Sequence, residues 1–432
     1  MPRTTPFPVR LAACLALLLL GAGLSAAQTD TTRHFTVKAQ LWARGEVRDG
    51  ALPAENGKDY AAFLMGNSIV RLDYTSSWLD VRFAPRFSGI WGSNSTGGLD
   101  IDEAWIHLHT GGFFARLGRQ KVSYDDDRVI GSDDWSMAPL THDMVKLGFE
   151  GGKHKVHLML AFNQNDEDVN GGTYYVNGGQ VYKTMQTLWY HVDPTPWLGA
   201  SLVGINMGLQ SLLTNEYKTR FQQLFGTYVD IHPDPFRLEL SYYRQTGHNE
   251  YAMSIHAWMA SAEAGWQATP QLKLRTGYFY MSGDPLYYVP KAGEIGLIRK
   301  TEIRGFDPVF GAHHKFYGAM DFFYVSTFYG GNTPGLQDFH VGARWCPWAP
   351  LDLDGSYHFL ATSVDIKDGG KILGHELELT LTWRFAKDAK LSAGYSYMNG
   401  TDTMARLKRT SDQNHLHWGW LMLTVTPEFF KR

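Results

Sequence analysis

The sequence predicts an all-β transmembrane barrel of about 18 antiparallel strands, and three observations carry that prediction. The chain opens on an export signal. Apolar and polar residues then alternate with period two along most of its 432 residues, and short turns alternate with long polar loops. Each of these has a physical reason.

The first 27 residues hold Arg3 and Arg10, the apolar run LAACLALLLLGAGL, and then the small residues Ser25, Ala26 and Ala27. That order is a secretory signal, with cleavage expected after Ala27, and the run is too short for a membrane-spanning helix. Leu11-Ala12-Ala13-Cys14 has the look of a lipidation box, but it precedes the leucine run, so lipidation is set aside. Residues 1–27 carry two positive charges and no negative ones, so their loss moves the formal charge from −3 to −5. No basic tract points to nucleic acid. Cys346 is then the only cysteine, which excludes an internal disulfide framework, and it reads as a small packing residue.

Mean hydropathy is only −0.27, which for a barrel is no obstacle, because lipid-facing and lumen-facing residues cancel in any window. In NSIVRLDYT (67–75), Val70, Leu72 and Tyr74 oppose Ile69, Arg71 and Asp73. In WLDVRFAPRFSG (78–89), Leu79, Val81, Phe83, Pro85 and Phe87 share one face and Asp80, Arg82, Ala84 and Arg86 the other. The next strand pair, around FARLGRQKV, has an ambiguous phase: Arg116, Arg119 and Lys121 occupy both registers. Arg119 and Lys121 are expected to face inward and Arg116 to lie near an interface. KHKVHLMLAF and FRLELSYY alternate in the same way. QLKLRTGYFYM (271–281) sets Leu272, Leu274, Tyr278 and Tyr280 against Lys273 and Arg275, and DFHVGARW follows. HELELTLTWRF (375–385) sets Leu377, Leu379, Leu381, Trp383 and Phe385 against Glu376, Glu378 and Arg384. Alternation this strict argues for strands with one apolar and one polar face. GAMDFFYV (318–325) is an uncertain further strand.

The connections HTGGF, DPTPW, HPDPF, ATPQL, CPWAPL and AKDAK are short and mostly rich in Pro, Gly or Asp, as tight turns require. Between them lie long polar loops at 121–141, 165–182, 283–315 and 400–413. Short turns at the periplasmic end and long loops at the extracellular end are the asymmetry of an outer-membrane barrel. One barrel, residues 28–432, accounts for the rest of the chain at about 22 residues per strand with its connection. A soluble sandwich or propeller fits less well. The apolar faces are rich in Trp, Tyr and Phe near strand ends, and the opposite faces carry full charges in nearly every strand, too many for a core.

If the apolar face meets outer-membrane lipid, the polar face lines the lumen. The inward set is then Arg71, Asp73, Asp80, Arg82, Arg86, Glu103, Lys146, Lys155, Lys218, Arg220, Lys273, Arg275, Arg344 and Arg384. Such a ring of cations in a low-dielectric wall focuses positive potential and favours anions.

The segment RLGRQKVSYDDDRVIGSDDWSMAPLTHDMVKLGF (116–149) resembles the signature of the alginate-export-type outer-membrane porin family: a Gly-Arg-Gln strand end, an acid-rich turn, an Ile-Gly, an Asp-Trp, then an Asp opening the return strand. SGD (282–284), FDPVFGAHHKFYGAMDFFYV (306–325), GLQDFHVGARW (335–345) and NHLHWGWLMLTVTPEFF (414–430) are similar to later blocks of that family. The resemblance implies an 18-stranded barrel whose Arg- and Lys-lined lumen passes anionic polysaccharide or other anionic solutes. It matches the family's constriction at Arg119, Arg128, Asp134 and Asp143. A general diffusion pore of little selectivity is the alternative.

On this reading Arg128 with Asp125, Asp126, Asp127, Asp133 and Asp134 belongs to a loop folded over or into the pore, its charges satisfied by pairing and Trp135 anchoring it. A structural Ca²⁺ on Asp125, Asp126 and Asp127 is a second use of the same acids. No other cofactor is expected. Hydrolytic constellations are weak: His313-His314 or His415 and His417 with Asp307 or Asp412 lack any Gly-x-Ser-x-Gly nucleophile. His415 and His417 read instead as interior polar residues of the last strand. No plug domain is evident, since the chain enters a strand by about His34.

Overall fold

The computed structural model describes residues 33–49, 60–93, 97–132, 135–137, 139–167, 172–176, 180–214, 217–285, 302–323, 333–408 and 414–432. The signal segment 1–27 and Asp133, Asp134 and Asp412 lie outside these residues. The strands of the barrel wall are β1 (His34–Arg48), β2 (Ala61–Thr75), β3 (Leu79–Ile90), β4 (Gly97–Thr110), β5 (Phe113–Gln120) and β6 (His142–Gly151). There follow β7 (His154–Phe162), β8 (Thr184–Thr195), β9 (Leu198–Gln210), β10 (Thr219–Ile231), β11 (Phe236–Gly247) and β12 (Ala257–Thr269). The last are β13 (Leu272–Met281), β14 (Leu336–Trp348), β15 (Leu351–Ala361), β16 (Ile372–Ala386), β17 (Ala389–Gly400) and β18 (Leu416–Val425). Beyond Pro427, which has no N–H to give a ladder, β18 resumes as Glu428–Lys431. The 19 ladder segments of the sheet are therefore 18 strands.

Every strand pairs antiparallel with its sequence neighbour, and β1 pairs with both β2 and β18, so the sheet closes without an edge. Phase follows the pleat. In β2, Met65, Asn67 and Ile69 are buried while Leu64 and Val70 are exposed. In β16, Glu376 is fully buried while Leu377, Leu379, Leu381 and Trp383 face out. Exposed Trp78, Trp197, Phe236, Trp266, Trp348 and Phe385 ring the short-turn end, as a headgroup girdle requires.

The hydrophobic core is inside the barrel. Segments 121–132 and 302–323 fold inward, and Tyr124, Val129, Ile130, Phe306, Phe310, Tyr317, Phe322 and Phe323 pack on inward wall residues such as Met144, Met159, Trp189, Ile205 and Phe279. Fully burying one such aromatic is worth roughly 2–3 kcal/mol. The two segments also pair with each other: Gly131 N donates to Phe310 O at 2.8 Å and Ala312 N to Asp127 O at 2.9 Å. Residues 318–323, part of the uncertain further strand, join this lumenal filling. Residues 324 and 325 lie outside the described ones. A seven-residue helix, α1 (Asp402–Lys408), packs on β16 and β17.

Candidate functional site in the barrel lumen

One wall, β2 to β4, carries an ion-pair ladder. Arg82 donates to Asp73 at 2.7 Å and to Glu103 at 2.9 Å. Arg86 reaches Asp102 at 3.0 Å and Asp100 at 3.1 Å, and Lys121 reaches Asp102 at 3.1 Å. A β-bulge makes this possible. Ala84 pairs with Glu103 but Pro85 with Ile101, so Asp102 is the extra residue. Pro85 is tolerated at the bulge, and Asp102 and Glu103, consecutive in sequence, are both buried. Arg71 donates to Gln40 at 3.0 Å.

The opposite wall carries a second set of ion pairs. Arg275 makes a bidentate pair with Asp354 at 2.8 and 2.6 Å. Near the short turn joining β14 and β15, Arg344 and Arg384 both bond Asp352, at 3.0 and 2.5 Å, with side chains about half exposed. Cys346, expected as packing, donates its thiol to the same Asp352 at 2.7 Å.

The inward-folded loop is held by charge and by rings. Arg128, 3% exposed, reaches Glu263 on β12 at 2.5 Å and Asp126 at 3.3 Å, with its guanidinium 4.0 Å from the centre of the Phe316 ring. Trp135 stacks on His314 at 4.6 Å, and Arg44 lies 3.7 Å over the Trp135 ring and donates to the Trp135 carbonyl. Asp125 accepts from Trp189 at 3.1 Å, and burial pushes its carboxyl above the usual range. Asp126 faces Arg128 and Tyr243, while Asp127 faces Ser123 and Lys315. The three carboxylates thus diverge to separate protein partners, and the geometry does not gather them around a calcium ion.

Register corrects the reading of β5. Arg116 pairs with His107 and Lys146, and its Nε donates to His107 Nδ1 at 3.0 Å. The Arg116 guanidinium lies 4.4 Å from the centre of the Trp105 ring, whose indole N–H donates to buried Glu103, and Lys146 lies over Tyr124, so Arg116 and Lys146 point inward. Arg119 pairs with Ala104 and Asp143, one residue out of phase with buried Met144 and His142. Arg119 and Asp143 therefore take the outward phase at the extracellular rim, bonded at 2.8 Å, with Asp100 at 3.3 Å. A strand with cations in both registers leaves its phase to its neighbours, which is why the sequence misread Arg119 and Arg116; Asp143, matched through the family resemblance, shares the outward phase of Arg119.

The histidines are corrected too. Tyr395 and Tyr397 share hydrogen bonds with His417 and His415, and His417 alternates with buried Leu416 and Trp418, so it faces out. His314 pairs with Asp321 at 3.0 Å, whereas Asp307 accepts from the Val309 amide.

A cavity of about 530 Å³ opens among the long loops, lined by Tyr174, Lys183, Gln210, Asn249, Asp284 and Asp307. A larger concavity, about 750 Å³, is lined by outward residues such as Leu41, Phe87 and Leu423, and belongs to the lipid face rather than the ionic lumen.

The family model for alginate export matches residues 92–415. No curated protein matches. Among solved structures the chain is similar to Acinetobacter baumannii OccAB1, at 11% identity and TM-score 0.63, covering 94% of this chain and 99% of that one. It is also similar to A. baumannii OccAB2, at 14% identity and TM-score 0.61, covering 92% and 98%. Pseudomonas aeruginosa OccK5 (OpdH) matches at 10% identity and TM-score 0.61, covering 94% and 100%. These three likenesses concern the fold.

Proposed function

The chain belongs to the alginate export family, and from that premise we propose that its outer-membrane barrel, exported by residues 1–27, is a passive pore for anionic solutes, acidic polysaccharide among them. The supporting observation is the Arg344–Asp352–Arg384 cluster, where two half-exposed guanidinium groups share one carboxylate. The pair keeps a net positive charge facing water inside a low-dielectric wall, which raises the local concentration of anions. Bidentate geometry suits guanidinium to carboxylate groups of a passing solute. Nearby acids keep that binding weak enough for release.

A second reading, a general diffusion pore, is favoured by the β2–β4 wall, where Asp73, Asp80, Asp100, Asp102 and Glu103 outnumber Arg71, Arg82 and Arg86. The salt-gradient reversal potential of the refolded barrel in a planar bilayer decides between them. Anion preference that falls in the double variant Arg344→Ala/Arg384→Ala supports the first reading. Equal permeability, unchanged in the variant, supports the second.

A further inference from the structure

Asp338 and His340 on β14 and His358 on β15 form the one group among the described residues in which three potential metal ligands converge, their donor atoms all within 4.8 Å of one another. Strand geometry brings them together. Asp338 and His340, two apart, share the inward face, and His340 pairs directly with His358 across the ladder. We propose that this trio is a binding site for a first-row divalent transition ion of the zinc class.

The distances suit such an ion. Asp338 carboxylate oxygens lie 3.0 Å from His358 Nδ1, and one lies 3.6 Å from His340 Nδ1. Ligands at zinc bond lengths in a tetrahedron are about 3.3 Å apart. The other ring nitrogens complete the pattern. His358 Nε2 faces Glu378 at 3.6 Å and His340 Nε2 faces Glu263 at 3.9 Å. A ligating histidine ordinarily offers its second N–H to a carboxylate in this way, which fixes the tautomer and raises the basicity of the nitrogen on the metal.

One further observation points to a ligand. His340 Nδ1 is buried with no hydrogen-bond partner, although its residue is only 9% exposed, and an orphaned buried nitrogen is costly. Room for its ring is made by Gly277 on β13, where a Cβ would sit 2.6 Å from His340 Cε1. Direct contact between imidazolium and carboxylate explains His358 but leaves His340 Nδ1 without a role, whereas an ion between the three uses all of them. Three protein ligands leave one tetrahedral position for water or a solute carboxylate. The adjoining Glu376 and Glu378 accept the amides of Met320 and Ala319, so the ion would stiffen the wall against which segment 302–323 docks.

The test is zinc retention by the full refolded barrel in detergent, after dialysis against a weak chelator, with Co²⁺ substitution read by its visible spectrum. Wild type is expected to retain zinc in equimolar amount and to give a tetrahedral or five-coordinate cobalt spectrum. His340→Gln and Asp338→Asn, which keep shape, should each abolish retention, and Glu378→Gln should weaken it about tenfold. His154→Gln, remote from the trio, serves as control and should change nothing. Folded variants are identified by heat-modifiable migration, and the two shape-preserving substitutions guard against loss of one to misfolding. No retained zinc in the wild type, or retention that survives both substitutions, overturns the site and leaves an imidazolium–carboxylate pair only.

Discussion

Replacing Arg128 by alanine should release the segment 121–132 from the barrel wall. Its guanidinium is almost fully buried, bonded to Glu263 at 2.5 Å and Asp126 at 3.3 Å, and 4.0 Å from the Phe316 ring centre. Removing one partner of a buried ion pair costs about 3–5 kcal/mol. Glu263 keeps 34% of its side chain exposed and rehydrates once abandoned, so the ionic part is discounted to about 2 kcal/mol. The lost cation–π contact adds about 1 kcal/mol. A total near 3 kcal/mol shifts the docking equilibrium about 150-fold. Nicking of the refolded barrel by a broad-specificity protease between residues 121 and 141 reads that equilibrium, because cleavage tracks the population of the open form when reclosing is fast. The double variant Arg128→Met/Glu263→Met, which removes both charges and keeps bulk, should recover most of the resistance. A single variant nicked within a few-fold of the wild-type rate, or a double variant as labile as the single, would refute the assignment of Arg128 as the pin.

Two further outcomes follow from local geometry. Gly118 holds φ +118°, and a Cβ there would lie 2.2 Å from the Ala104 carbonyl oxygen. Gly118→Ala should therefore cut the folded yield on heat-modifiability gels, while Gly419→Ala, which meets nothing within 4 Å, should not. Burial lowers the Lys408 ammonium of α1 to about 7. The undocked lysine then binds more protons than the docked one between that value and its ordinary pKa of about 10.4, so docking tightens as pH rises through this window. Hydrogen exchange of residues 402–408 should slow from pH 7 to 10 beyond its intrinsic pH trend, and Lys408→Met should lack the effect.

The barrel was legible in the sequence because its information is local. Pleating puts neighbours on opposite faces, so Leu377, Leu379 and Leu381 against Glu376 and Glu378 declare one lipid side and one wet side without reference to any other strand. Turn chemistry and the even number of strands needed for closure came with it. Arg82, Arg86, Arg275, Arg344 and Arg384 lie on clean alternations, and their phase could be read directly. What tertiary structure alone decided depends on partners far away in the chain. The phase of Arg116 and Arg119 is set by His107 and Asp143 across the ladders, since β5 itself carries cations in both registers. The bulge at Asp102 appears only in the pairing of β4 with Pro85. Asp338 and His340 are visible as a same-face pair, but His358 joins them only through the register of β14 against β15. The inward fold of segments 121–132 and 302–323 rests on contacts between aromatic side chains and opposite walls of the barrel. No periodicity records such contacts, because the burial that drives them exists only once the barrel has closed.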